Sequence, residues 1–150
     1  TLRAARAGLH FWEEPCISGT RGSGAVFFSG CNLKCRFCQN YELSHHCAGK
    51  PLSVHRLADI FLELQQQGAH NINLVTPTIY TPLIRQALLQ CKNRLHVPVV
   101  YNCGGYESSQ ALRDLQGRIS NFLTRCYQQN IVARRIILNA VRMQLIPCYN

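Results

Sequence analysis

Three cysteines lie within eight residues of this chain, at Cys31, Cys35 and Cys38. The remaining six of the nine cysteines are spread along the sequence at Cys16, Cys47, Cys91, Cys103, Cys126 and Cys148. Thiolate sulfur is a ligand for soft metals, and coordination keeps the sulfur deprotonated. Three thiolates at spacings of four and three residues can surround one corner of a metal centre. The clustered cysteines therefore predict a metal site.

Three classes of site are compatible with clustered thiols. A [4Fe-4S] cluster held by three cysteines leaves one iron open to a further ligand, and an open position distinguishes a reactive metal centre from a structural one. The plant-type [2Fe-2S] spacing is one residue longer in its first gap. Zinc would use His45, His46 and Cys47, but the chain lacks a matching second C-x2-C pair. The cluster is favoured, and zinc or incidental thiols remain the alternatives.

The elements around the cysteines predict how they are positioned. A short apolar run at residues 25–29 directly precedes Cys31 and indicates a buried strand. Helical and strand patterns then alternate, at residues 53–67 (helix), 73–75 (strand), 82–91 (helix), 97–101 (strand) and 110–116 (helix). This alternation predicts an α/β fold with a parallel sheet and right-handed crossovers. The cysteines follow a strand directly, at the end where such folds place chemistry.

Composition and charge narrow the class of protein. The chain has 150 residues, of which 47% are apolar, as expected for one globular domain. No run of eighteen apolar residues and no leader sequence is present, so we expect no membrane span and a cytoplasmic location, where clustered thiols usually bind metal. The net charge is +9, but residues 117–150 contribute five arginines and no acid. A nucleic-acid partner is therefore not predicted.

Several longer motifs resemble one known superfamily. The pattern C-x3-C-x-Φ-C, with Phe37 at the aromatic position Φ, is the hallmark of radical S-adenosylmethionine (SAM) proteins. The segments at residues 12–19, 21–24, 27–40, 73–78 and 99–108 further resemble the proteins related to the pyruvate formate-lyase activating enzyme, often labelled PflX-like. The resemblance extends from about residue 3 to about residue 117.

The resemblance implies a fold and a ligand set. The fold would be a partial (β/α) barrel of the radical SAM type, truncated to about three βα units, with a [4Fe-4S] cluster and SAM at its open end. Cys31, Cys35 and Cys38 match the cluster ligands of the family, and Phe37 matches the aromatic residue near the adenine.

The SAM contacts implied by the resemblance are less complete. Many family members have a Gly-Gly-Glu segment after the second strand, which binds the amino group of SAM. This chain has Thr76 and Thr78 around a proline there, so their backbone would serve and no glutamate is assigned. Asn102 ends the third predicted strand and would face SAM.

The resemblance also implies an activity and partners. The cluster would reductively cleave SAM to a 5′-deoxyadenosyl radical, which abstracts hydrogen from an unknown substrate, with activation of a glycyl-radical enzyme as one candidate. The implied partners are SAM, an electron donor such as a flavodoxin or ferredoxin, and a protein substrate. The alternative is a non-catalytic metal-binding fragment, holding an iron–sulfur cluster or zinc.

The two ends of the region that resembles the family lead to further predictions. Residues 1–117 are predicted to be the N-terminal part of a radical SAM core, and residues 118–150 a basic tail without a barrel pattern. We hypothesise that this tail is not the family's native continuation, arising from a frameshift, a splice variant or a truncated reading frame. At the other end, Trp12, Glu13 and Glu14 are expected in a lead-in packed on the barrel, and Cys16 is expected to be a buried thiol.

Overall fold

The computed structural model describes residues 1–13, 15–116 and 122–126, which form one mixed sheet with helices. The sheet has six strands in the order β3-β1-β2-β4-β5-β6. Their bounds are β1 Arg3–His10, β2 Ser23–Phe28, β3 Lys50–Pro51, β4 Ile72–Val75, β5 Val99–Cys103 and β6 Phe122–Cys126. Strands β2, β4, β5 and β6 are parallel, whereas β1 pairs antiparallel with both β2 and β3.

The helices connect the parallel strands. Helix α3 (Val54–Gln66) joins β2 to β4 after the short helix α2 (Tyr41–His45), α4 (Thr81–Cys91) joins β4 to β5, and α5 (Ser109–Gln116) follows β5. A single helical turn, α1 (Pro15–Ser18), precedes β2. The predicted α/β fold with a parallel sheet is confirmed. Among the described residues, no helix is long and apolar enough to cross a membrane.

The hydrophobic core lies between one face of the sheet and helices α3 and α4. Strand side chains alternate between the two faces, so Val26 and Phe28 point toward the helices, whereas Ala25 and Phe27 point to the opposite face. The helices contribute an apolar stripe of buried residues, which are Leu57, Ala58, Phe61, Leu64, Ile84, Ala87, Leu88 and Cys91. The core therefore holds the parallel strands in place, and loops follow at their carboxyl ends.

Helix α3 begins where its sequence predicts. The Ser53 side chain accepts a hydrogen bond from the backbone N–H of Arg56 at 3.1 Å, which satisfies one of the free donors of the first turn. Pro82 occupies the first turn of α4, where its missing N–H costs nothing. Both helices therefore start at the positions that the sequence specifies.

Three strands were not predicted. Strand β1 contains two arginines and no large apolar residue except Leu9, and it forms because its backbone pairs with β2. The short strand β3 pairs with β1 at Arg3 and Ala4. Strand β6 lies in the region predicted to lack a barrel pattern, and it extends the parallel part of the sheet next to β5. The remainder of the predicted tail, including residues 127–150, lies outside the described residues.

Candidate functional site

Three loops meet at the carboxyl edge of the parallel strands. Phe27, Val75 and Asn102 are level with one another across β2, β4 and β5. The loops that follow are therefore neighbours: the cysteine loop (residues 29–40), the Thr-Pro-Thr segment (residues 76–78) and the Gly-Gly loop (residues 104–108). Parallel sheets bring chemistry to this edge because all of these strands end there.

The start of the cysteine loop is fixed by hydrogen bonds around Ser29, which is buried. Its backbone N–H donates to the carbonyl of Arg3 at 3.1 Å, and its hydroxyl donates to the carbonyl of Ala48. The Tyr80 hydroxyl donates to the Ser29 carbonyl at 2.8 Å, and burial raises the pKa of that phenol, which keeps it a donor. Every polar backbone group of Ser29 is thus paired before the chain enters the loop.

Gly30 turns the chain from β2 into the cysteine loop. Its φ of +88° is strained for residues with a side chain, and its N–H donates to the Leu43 carbonyl at 2.7 Å. A Cβ at this position would lie 3.0 Å from Cδ1 of Ile79 and 3.4 Å from Sγ of Cys47. The turn therefore requires a glycine directly before Cys31, the first clustered cysteine.

The three clustered thiols share this one irregular loop. Cys31, Cys35 and Cys38 are free and half-buried, and the Cys38 N–H donates to the Cys35 carbonyl at 3.2 Å. Lys34 adopts φ +46°, which bends the loop between the first two cysteines. In the part of the chain that the structure describes, no three His, Cys, Asp or Glu side chains are close enough to hold a metal ion. The ligand assignment therefore stays a prediction.

The chemistry of these donors nevertheless fits an iron–sulfur cluster. All three are thiols, none forms a disulfide, and each is reachable from solvent. The loop between β2 and α2 contains no regular secondary structure from Cys31 to Asn40, so its backbone is not committed to a helix or a ladder. Such a loop can close around a cluster without breaking the fold.

The zinc alternative gains no support from the histidines. His45 stacks on the ring of Tyr41 with centroids 3.9 Å apart, and His46 is exposed. Cys47 is exposed and lies near Gly30. Within the residues that the structure describes, these side chains do not form a group that could hold a metal.

The cysteine loop rests directly on the Gly-Gly loop. A Cβ at Gly104 would overlap Cδ1 of Leu33, which lies between the first two clustered cysteines. Gly104 follows β5 immediately, so the structure brings the cysteine loop against the end of that strand. Phe37, predicted near the adenine, is 81% exposed.

Two of the residues predicted to contact SAM touch each other. Thr76 has φ +56°, which is rare for a β-branched residue, and its N–H donates to the carbonyl of Asn102 at 3.2 Å. Its hydroxyl donates to the Phe28 carbonyl at 3.5 Å. Strained backbone is often found at binding sites, where the surrounding structure holds it in place. The bonds to β2 and β5 hold Thr76 at the centre of the edge.

Glu107 is a residue that sequence reasoning missed. The Thr78 hydroxyl donates to Oε1 of Glu107 at 2.7 Å, and Oε2 of the same carboxylate is buried with no hydrogen-bond partner among the residues that the structure describes. The Thr-Pro-Thr segment thus contacts an acid that comes from the Gly-Gly loop. The only signal in the sequence was the position of Glu107 inside the motif at residues 99–108, five residues after Asn102.

The lead-in packs on the sheet at Glu13, as predicted, but the same prediction is wrong for Trp12. Asn73 donates its Nδ2 to both carboxylate oxygens of Glu13 at 2.8 Å, and the Ser23 hydroxyl donates to Oε2 at 2.7 Å. Trp12 is 90% exposed, and Glu14 lies outside the described residues. The prediction that Cys16 is buried is wrong, because the single turn of α1 buries its neighbours Ile17 and Ser18 instead.

Cys91 differs from the loop cysteines in its location on a helix and in its burial. It is fully buried in the core on α4, as predicted, and its thiol donates to the Ala87 carbonyl at 3.3 Å. Burial raises the pKa of this thiol, so the reactive thiolate is disfavoured. Cys91 is therefore a packing residue.

Comparison with known families agrees with this arrangement. The family described as the Radical SAM superfamily matches residues 25–122. An uncharacterized protein of Methanocaldococcus jannaschii is 31% identical over 129 residues, which cover 77% of this chain but 35% of that relative. This chain thus spans about a third of the relative's length, and no solved structure gives a significant match. The chain belongs to the radical SAM superfamily.

Proposed function

We propose that this chain is the cluster-bearing part of a radical SAM enzyme, in which Cys31, Cys35 and Cys38 hold a [4Fe-4S] cluster. The observation that supports the proposal is the position of three free thiols in one loop at the carboxyl edge of the parallel sheet. Three protein ligands leave the fourth iron open to the amino and carboxylate groups of SAM. When bound, the cluster supplies the electron that cleaves SAM to methionine and a 5′-deoxyadenosyl radical.

The residues of this chain that would bind SAM surround the cysteine loop. Thr76 and Asn102 present backbone groups at the centre of the edge, and Phe37 offers an exposed ring for the adenine. Thr78 orients the Glu107 carboxylate, whose free oxygen is an acceptor for the ammonium group of SAM. Glu107 would thereby supply the acid that the Thr-Pro-Thr segment lacks.

The finer assignment is to the relatives of the pyruvate formate-lyase activating enzyme, the PflX-like proteins, and it rests on the motifs of residues 12–108. Activation of a glycyl-radical enzyme, by hydrogen abstraction from a protein glycine, is the activity that this assignment suggests. The exposed cations Lys34 and Arg36 flank Cys35 and suit an acidic electron donor such as a flavodoxin or ferredoxin. A reducing cytoplasm would keep free the seven cysteines whose thiols the structure describes.

A second candidate is a non-catalytic metal-binding fragment of such an enzyme. The observation that supports it is the set of three free thiols in the cysteine loop, which can bind a metal whether or not SAM is cleaved. We propose residues 1–117 as the N-terminal part of the radical SAM core, with 118–150 as a basic tail that is not the family's native continuation, although its strand β6 pairs with β5. A metal-binding protein of this kind would hold an iron–sulfur cluster or zinc without cleaving SAM.

Anaerobic reconstitution with iron and sulfide tests both candidates. The enzyme is expected to bind about four irons per chain and to release 5′-deoxyadenosine from SAM when dithionite is added. Cys35→Ala should abolish both, whereas Cys16→Ala, which removes an exposed thiol outside the loop, should change neither. A cluster without SAM cleavage would support the fragment. Iron binding that survives Cys35→Ala unchanged would contradict the ligand assignment.

A further inference from the structure

Helix α2 buries one serine against the third clustered cysteine. Ser44 is 2% exposed, although α2 is a short surface helix, and its hydroxyl oxygen lies 3.2 Å from Sγ of Cys38. Its neighbours on the helix, Tyr41 and His45, stack on each other. Ser44 is thus a buried side-chain hydroxyl in direct contact with one of the three proposed ligands.

The Ser44 hydroxyl has one proton, which it can donate either to a backbone carbonyl or to the Cys38 sulfur. Its oxygen lies 2.7 Å from the carbonyl of Asn40 and 3.3 Å from the carbonyl of Tyr41, both of which can only accept. A protonated Cys38 can donate to the Ser44 oxygen while the hydroxyl donates to Asn40. A sulfur bound to iron has no proton, so it can only accept, and the hydroxyl is then its donor.

Turning the hydroxyl toward the sulfur does not leave the Asn40 carbonyl unpaired. The Asn40 carbonyl also accepts the backbone N–H of Ser44, at 2.9 Å, and keeps that bond. The other polar neighbour of the hydroxyl is Nδ1 of His45 at 3.3 Å. Because Ser44 is buried, water does not compete for its hydrogen bond, and an unscreened bond to a charged acceptor is among the stronger ones in proteins.

We propose that Ser44 is a positioning residue that donates a hydrogen bond to the Cys38 sulfur and thereby raises the reduction potential of the cluster. The inference rests on the proposed function, because it requires a cluster at Cys38. Reduction adds one electron, and part of its charge falls on the ligand sulfurs. A donor at 3.2 Å therefore stabilises the reduced cluster more than the oxidised one.

The experiment compares midpoint potentials in the reconstituted chain, measured by redox titration with electron paramagnetic resonance of the reduced cluster. Ser44→Ala is expected to keep its iron and sulfide but to lower the reduced-to-oxidised ratio at a fixed potential about tenfold, which is about 59 mV for one electron. Ser44→Thr retains the hydroxyl and should titrate like the wild type. Ser53→Ala, which removes the cap of α3, should lower stability without moving the potential.

Each outcome bears on the inference. Equal potentials in the wild type, Ser44→Ala and Ser44→Thr would overturn it and leave the proposed function standing. A cluster lost in Ser44→Ala but held at the wild-type potential in Ser44→Thr supports a role for the hydroxyl. Loss in both variants, or an equal shift in both, contradicts it. A wild-type chain that binds no iron overturns the proposed function, and the inference with it.

Discussion

The helix-packed face of the sheet and its carboxyl edge are built from different kinds of residues. On the helix face, Phe61, Leu74 and Tyr101 are completely buried among apolar neighbours. At the edge, the cysteine loop has half-buried thiols and an exposed phenylalanine, held in place by backbone hydrogen bonds at its start. Apolar burial therefore identifies the residues that form the fold, whereas polar and thiol donors at the strand ends identify the candidates for function.

The largest expected effect contrasts two cysteines, one from each region. Cys38→Ala should abolish iron binding and leave the unfolding free energy of the apoprotein nearly unchanged, because the loop is half-exposed. Cys91→Ala should do the reverse: iron content is retained, and the small cavity lowers the unfolding free energy by about 1 kcal/mol. Iron and sulfide analysis together with urea unfolding measures both. A comparable loss of iron in the two variants would contradict the division between face and edge.

A pair of phenylalanines sharpens the comparison for stability. Phe61→Ala empties a fully buried site between α3 and the sheet and should lower the unfolding free energy by about 3–5 kcal/mol. Phe37→Ala removes a ring that is 81% exposed, so the same measurement should show almost no change. Urea unfolding of the apoproteins measures the change in unfolding free energy for both substitutions. The account of the core is wrong if the two substitutions destabilise the protein equally.

Glu107 tests whether the edge contains a SAM contact. Glu107→Gln replaces a charged acceptor by a neutral one and should weaken SAM binding to the reconstituted protein about tenfold, the difference between a charge-assisted and a neutral hydrogen bond. Isothermal titration with SAM measures the affinity at unchanged iron content. Glu63→Gln, which alters an exposed acid on α3, is the matched control. Equal affinity in all three proteins would remove Glu107 from the site.

The smallest effect concerns the surface of α3, away from both regions. The hydrogen-bonded Arg56 lowers the pKa of Glu63, so the carboxylate is favoured in the folded state. Its stabilising contribution is present above the ordinary carboxyl pKa and is lost as the pH falls through the lowered pKa of the folded state. We expect the melting temperature of Glu63→Gln to differ only slightly from the wild type near neutral pH, with the difference vanishing in acid. A difference that grows in acid would contradict this direction.

Much of the helix face could be predicted from the sequence, because local patterns specify it. The Ser53 cap, Pro82 in the first turn of α4 and the core position of Cys91 follow from capping, backbone geometry and periodicity. Strands β1, β3 and β6 could not be predicted, since each forms by pairing with another strand: β1 with β2, β3 with β1, and β6 with β5. Cys16 was mispredicted because a helix of one turn has no periodicity that distinguishes its buried side.

The residue types at the carboxyl edge of the sheet could be predicted from the sequence, but the contacts between them could not. The spacing of the cysteines is a local property, so it could be recognised directly. The contacts of Leu33 with Gly104, and of Thr78 with Glu107, join loops that are far apart in sequence and become neighbours only when β4 and β5 pair. No local pattern contains that information, which explains why Glu107 was missed.

In the proposed function, three cysteines hold a cluster whose fourth iron is open to SAM. The most direct test is the electron paramagnetic resonance spectrum of the reduced, reconstituted wild-type protein with and without SAM. The account predicts a cluster signal that changes in shape and g-values when SAM is added, because a new ligand reaches the open iron. A reduced cluster whose spectrum is identical with and without saturating SAM would contradict it.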